Sequence, residues 1–156
     1  MNRPSFQFYP ADWRGNAKLR RCSPAARGAW IDVICFLHDS DEYGVLRWPL
    51  TEIAHAAGLP VRLLRELADK GVLKGDDALA APFTYAPSHA GRTGPEVVLV
   101  QADGGPCWFC SRLVRDEWVR QRRGLATRFE PSPNPQPNPA PKGGIGVGIG
   151  GGFGDG

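Results

Sequence analysis

A Ser-Pro start followed by an apolar face of helical period, two short amphipathic segments divided by Gly58, and apolar runs on either side of Asp103-Gly104-Gly105 together predict an α+β fold. The order fits a winged helix: a helix-turn-helix with a small antiparallel β-wing, then a C-terminal helix and a disordered tail. The helix-turn-helix is expected at about 50–71, the wing at about 72–113 and the final helix at about 115–129. Residues 1–130 then form the winged-helix domain and 131–156 the Pro/Gly-rich tail.

The elements follow in chain order. Phe6, Phe8, Tyr9 and Trp13 read as an extended arm on the core, with Pro10 breaking any helix. Asn16 is placed to cap a short helix around Leu19. Ser23 is a good N-cap for the next helix, and Pro24 suits its first position because the missing N–H has no partner there anyway. Ala26, Trp30, Val33, Ile34 and Leu37 lie on one face of that helix. Gly28 weakens a helix unless another backbone approaches closely. The helix is expected to stop at Asp39 to Asp41, before a turn at Tyr43-Gly44, and Val45 to Trp48 make a short strand.

Thr51 is the expected cap of the first motif helix, with Ile53, Ala54 and Ala57 inward. Gly58 supplies a positive-φ turn, and Pro60 opens the second helix, buried through Leu63, Leu64 and Leu67. The small Ala54 lets the two helices cross closely, with Leu59 helping to fill the wedge between them. Gly71 ends the second helix, and Val72-Leu73 begin a strand. Phe83 to Tyr85 form a brief strand. Val97 to Val100 and Cys107 to Leu113 form a hairpin across Asp103-Gly104-Gly105. In the final helix, Asp116 and Glu117 stand near the N-terminus and Arg120, Arg122 and Arg123 further on, as the helix dipole favours. Val114, Trp118, Leu125 and Phe129 give its apolar side.

Composition bounds the function. Of 156 residues, the last 26 hold alternate prolines from Pro131 to Pro141 and then nine glycines, so about 130 remain, enough for one core without disulfides or metal. No apolar run approaches the length of a membrane span, and Met1-Asn2-Arg3-Pro4-Ser5 leads to no secretion-type apolar segment. The expectation is a cytoplasmic protein with reduced thiols and no membrane partner. The net charge is +3, but its placement says more than its sum. Residues 1–48 carry 7 basic and 5 acidic side chains, 49–110 carry 5 and 7, and 111–130 carry 6 and 3. A local basic surface is what a polyanion feels.

The expected DNA-binding set follows from that distribution. Arg62, Arg65 and Lys70 lie on the exposed side of the second motif helix, where such helices meet base edges or phosphates. Arg20 and Arg21 precede the first long helix, in a basic stretch that also holds Arg14 and Lys18. Arg112, Arg115, Arg122 and Arg123 occupy the wing exit and final helix, and phosphate contact needs no base-specific geometry. The competing arrangement is a solvated helix face with local ion pairs, Arg62–Glu66 and Arg65–Asp69.

Cys107-Trp108-Phe109-Cys110 has the spacing of zinc and redox sites. On a strand, however, residues three apart face opposite ways, and a redox pair normally begins a helix. No metal and no cofactor is expected. His38, His55 and His89 come with no nucleophile elbow, phosphate loop or metal-binding pair, so no enzyme activity is expected.

Phe8-Tyr9-Pro10-Ala11-Asp12-Trp13, Lys18-Leu19-Arg20, the stretch Ser23-Pro24-Ala25-Ala26-Arg27-Gly28-Ala29-Trp30-Ile31-Asp32 and then Ser111-Arg112-Leu113-Val114-Arg115-Asp116-Glu117 resemble a small phage and prophage family of winged-helix proteins of unknown function. That family looks like the N-terminal part of phage replication initiators and replisome organisers. The resemblance covers about residues 5–123 and implies binding of double-stranded origin DNA near replication initiation in a bacterial host. Two departures stand out: residues 75–106 are longer than the family's usual wing, and a Pro-then-Gly tail replaces a long, basic C-terminal region. The alternatives are a docking or self-associating adaptor in a replisome, and a transcriptional regulator.

Overall fold

The computed structural model describes residues 4–129 of the chain. The architecture is α+β. Helices α1 (Pro10–Gly15), α2 (Ala17–Arg20) and α3 (Pro24–Asp39) are followed by strand β1 (Val45–Leu46) and helices α4 (Leu50–Ala57) and α5 (Val61–Asp69). Strands β2 (Lys74–Asp76), β3 (Phe83–Tyr85), β4 (Ser88–His89), β5 (Arg92–Thr93), β6 (Val97–Val100) and β7 (Cys107–Phe109) come next, and α6 (Ser111–Phe129) closes the described chain. Among the described residues no helix is long and apolar enough to cross a membrane. The tail expected at 131–156 lies outside the described residues.

The apolar pattern of the helices builds the core. Ala26, Trp30, Val33, Ile34 and Leu37 of α3 are buried together with Leu50, Ile53 and Ala54 of α4 and Leu63, Leu64 and Leu67 of α5. Leu59 packs against the same cluster from the turn, and Phe6 and Trp13 join it from the N-terminal arm. Caps behave as expected at two helices: Asn16 Oδ1 accepts from the N–H groups of Lys18 and Leu19, and Ser23 Oγ from that of Ala26. Gly58 has φ +67°, the left-handed turn that the α4–α5 connection requires.

Several expectations are overturned. Pro10 does not break a helix; it begins α1, because its fixed φ fits a first turn. Thr51 is not the cap of α4. That place falls to Pro49, whose side chain offers no acceptor, and Asp77 Oδ1 reaches in from beyond β2 to accept the Leu50 N–H at 2.8 Å. Gly28 has no close neighbour: a Cβ there would meet nothing within 4 Å. Val72 and Leu73 are buried but precede β2. The last helix starts at Ser111, so Asp116 and Glu117 fall after its first turn.

The largest correction concerns the wing. β6 and β7 do not pair with each other. β7 lies between β1 and β2 in a three-stranded antiparallel sheet, whereas β6 pairs with β3, and β4 with β5. The chain therefore leaves β2, runs out through two nested antiparallel pairs, and returns as β7 opposite the strand it left. The turn at Asp103-Gly104-Gly105 is a loop closed on Leu79 by Gly104 N–H to Leu79 C=O (3.0 Å) and Leu79 N–H to Gly105 C=O (3.0 Å). A glycine-rich turn between apolar runs signals a reversal but does not choose the partner strand. Gly75 makes the β2–β7 approach possible: at φ +118°, a Cβ there would sit 2.0 Å from the Cys107 carbonyl oxygen.

Candidate nucleic-acid interface

Burial of Leu63, Leu64 and Leu67 turns Arg62 and Arg65 of α5 outward, and both are exposed. Among the described residues neither expected ion pair forms on this helix. Glu66 turns instead toward the start of α3, where its carboxylate accepts the Ser23 backbone N–H and, at 2.9 Å, the Ser23 hydroxyl. Those two donors hold the Glu66 pKa below the ordinary carboxylate value, with Lys70 and Arg62 adding to the effect. The carboxylate nearest Arg62 in the helical repeat is thus committed to a structural bond.

The same bond brings the C-terminal half of α5 beside the α2–α3 junction. Arg20 and Arg21 are exposed there, and Arg20 Nη2 lies 3.4 Å from the Trp13 carbonyl oxygen, to which it donates. Lys70 is the C-cap residue of α5 and is exposed. Next to it, a Cβ on Gly71 would lie 3.5 Å from the ammonium nitrogens of both Lys18 and Lys74. Two cations therefore converge on one point at the end of α5. The Lys74 pKa is lowered, first by the Lys18 ammonium beside it and then by burial. Lys18 falls in the basic stretch legible in the sequence but outside the expected DNA-binding set, and Lys74 lies outside both. Nothing in their spacing links them; the link is made by the packing of α2 against the α5–β2 turn.

The arginines of α6 have other work. Arg112 pairs with Asp12 at 2.7 Å and lies 4.8 Å above the Tyr9 ring, with Asp116 at 4.0 Å. Arg115 Nε donates to the Ser111 carbonyl, and its guanidinium stands 5.9 Å from the Tyr85 ring. Arg122 stacks over Trp118 at 4.8 Å, and Trp118 meets Tyr85 edge-on. Arg123 is exposed and lines a cavity of about 730 Å³ between α6 and the β4–β5 pair. The expected DNA-binding residues thus form two groups: one at α5 and the α2–α3 junction, the other on α6, where Arg112 and Arg115 reach the N-terminal arm and β3. A groove of about 290 Å³ has Trp13, Lys18, Arg112 and Arg115 among its lining residues.

The cysteine pair is divided. Cys107 lies in a smaller apolar cluster with Val45, Val100, Phe109 and Val114, and Cys110 in the main core. Burial pushes both thiols above their ordinary pKa. Among the described residues, no group of three His, Cys, Asp or Glu side chains is placed to hold a metal ion. His38 Nδ1 is 2.9 Å from the Tyr43 hydroxyl; His55 and His89 are exposed on separate elements.

No protein family, curated protein or solved structure matches the chain.

Proposed function

We propose that the chain is a double-stranded-DNA-binding module with a winged-helix arrangement, in which α4 and α5 are the helix-turn-helix and α5 is the recognition helix. Support for the arrangement comes from the order of α3, β1, α4, α5, β2 and β7, and from a sheet in which β7 joins β1 to β2. In this reading β2 and β7 are the arms of the wing, and the segment between them is an enlarged wing tip.

The observation that carries the DNA reading is the withdrawal of Glu66 to Ser23. It leaves Arg62 on the exposed face of α5 without its expected partner, and Arg65, exposed on the same helix, likewise has no carboxylate within ion-pair distance among the described residues. Arg side chains so placed can reach base edges or phosphates. A place in phage or prophage replication initiation, in the cytoplasm of a bacterial host, rests on the resemblance carried by the arm, α3 and the start of α6. A docking adaptor is the second reading, favoured by the exposed rings of Phe8 and Tyr9, 49% and 44% accessible. A transcriptional regulator would use the same α5 face.

Fluorescence anisotropy with a labelled duplex at about 50 mM and about 200 mM salt tests the proposal, since affinity should fall steeply with a log–log slope of about −0.9 per phosphate contact. Arg62→Ala and Arg65→Ala should each cost about 1–3 kcal/mol and relax sequence preference. Unchanged duplex binding in the double variant, or no binding at the lower salt, would transfer the assignment to docking, with sedimentation of the chain as the next measurement.

A further inference from the structure

We propose that Lys18 and Lys74 form a site for one phosphate group, and that the phosphate belongs to the backbone of a DNA duplex lying beside the C-terminal end of α5. The inference rests on the DNA reading for the source of the phosphate, but the site is argued from its own geometry. Both ammonium nitrogens lie 3.5 Å from where a Cβ on Gly71 would stand. Gly71 has no side chain to fill that space, and its φ of +74° is a left-handed conformation that other residues adopt at a cost.

The two charges oppose each other in the free protein. Among the described residues no carboxylate lies within 4 Å of either lysine, and Lys74 feels only influences that disfavour its charged form, Lys18 among them. Like charges brought together are unfavourable unless something between them is negative, and here Lys74 is partly buried while Lys18 is exposed. Capping of α5 does not account for the pair. Three of the last four carbonyls of that helix already receive backbone donors, Glu66 from Lys70, Ala68 from Gly71, and Leu67 from Val72 and Leu73. A phosphate oxygen between the two ammonium groups relieves their repulsion and takes a charge-assisted hydrogen bond from each. Lys70 and Arg21 are exposed at the neighbouring helix ends, which continues the positive surface from α5 to this point.

The test has two arms, both on the full chain. In the first, thermal unfolding is followed in inorganic phosphate and in chloride of equal ionic strength, for the native protein and for Lys18→Gln/Lys74→Gln. Phosphate should raise the native Tm above its chloride value, because a ligand that binds only the folded state stabilises it. The double variant should lose that increment while unfolding in chloride at a Tm no lower than the native protein's. The single variants Lys18→Met and Lys74→Met, which keep much of the apolar stem, should each lose most of the increment. An equal phosphate increment in all four proteins overturns the site.

In the second arm, duplex affinity is measured against salt. The double variant should reduce the log–log slope by about 0.9, one phosphate contact, with sequence preference unchanged. A lost phosphate increment with an unchanged slope overturns the duplex as the source and leaves the DNA reading of α5 standing. A lost increment in a protein that binds no duplex supports the phosphate site and ends the DNA reading.

Discussion

Glu66 and Ser23 form a two-point bond between helices: the carboxylate of α5 takes both the backbone N–H and the hydroxyl of the residue that caps α3. The Ser23 oxygen meanwhile accepts from Ala26, so one serine joins the first turn of α3 to the middle of α5. A negative charge at a helix N-terminus is favoured by the unpaired N–H groups there. The bond therefore fixes where α5 stands and also draws Glu66 away from an ion pair with Arg62.

The pH dependence of stability follows from this bond. Because the folded-state pKa of Glu66 is depressed, its contribution is complete above the unfolded carboxylate value and is lost as pH falls through the folded one. Glu66→Gln should lower Tm at neutral pH, and the gap to the native protein should close as the pH is taken down through and below the ordinary carboxylate range. A gap that stays constant across that range would show that the carboxylate charge contributes nothing.

Two glycines should respond in opposite directions. Gly75→Ala places a methyl group against the Cys107 carbonyl at a φ of +118°, which should cost about 3 kcal/mol or more. Gly28 lies in the interior of α3 with open space beside it, so Gly28→Ala should stabilise by about 0.5–1 kcal/mol. Urea unfolding of the two variants measures both.

Asp77 Oδ1 accepts from Leu50 N–H at 2.8 Å and from Trp108 Nε1–H at 2.9 Å. One oxygen thereby ties the start of α4 to the central strand of the sheet. Asp77→Ala leaves both donors without that acceptor and should cost about 3 kcal/mol. Asp77→Asn keeps an acceptor oxygen and should cost clearly less. Urea unfolding followed by tryptophan fluorescence compares the two; equal losses would assign the effect to charge.

Arg112 should behave as a structural residue. Its partners are Asp12 and the Tyr9 ring, in an exposed setting where such pairs contribute about 1 kcal/mol or less. Arg112→Ala should lower stability by no more than that and leave duplex affinity within a factor of about two. A larger loss of affinity, with the slope against salt reduced, would return Arg112 to the DNA-binding surface.

Much of the helical part was legible in the sequence because caps, apolar period and turn glycines agree there: Asn16, Ser23, the α3 face, Gly58 and the leucines of α5 all stand where local rules put them. Local rules failed where the partner was distant. Asp77 replaces a local cap at α4 from 27 residues away, and no pattern near Thr51 signals that. The pairing of β6 with β3 depends on Phe83 meeting Phe109 across the sheets and on Val100 being fully buried, choices made by packing. For the candidate site, the exposure of Arg62 and Arg65 was readable from the leucine spacing. The diversion of Glu66 and the meeting of Lys18 with Lys74 were not, since each joins segments far apart in the chain.

The strand order also dictates a timetable. β7 is the middle strand, paired with Val45 and Leu46 on one side and with residues 74–76 on the other, yet it is translated after both of them and after the whole excursion between. A nascent chain that ends before residue 107 holds two outer strands with a gap one strand wide and unpaired backbone along each margin. Such margins are sticky, so the helices can assemble early while the sheet must wait for Trp108 to leave the ribosome and close the gap.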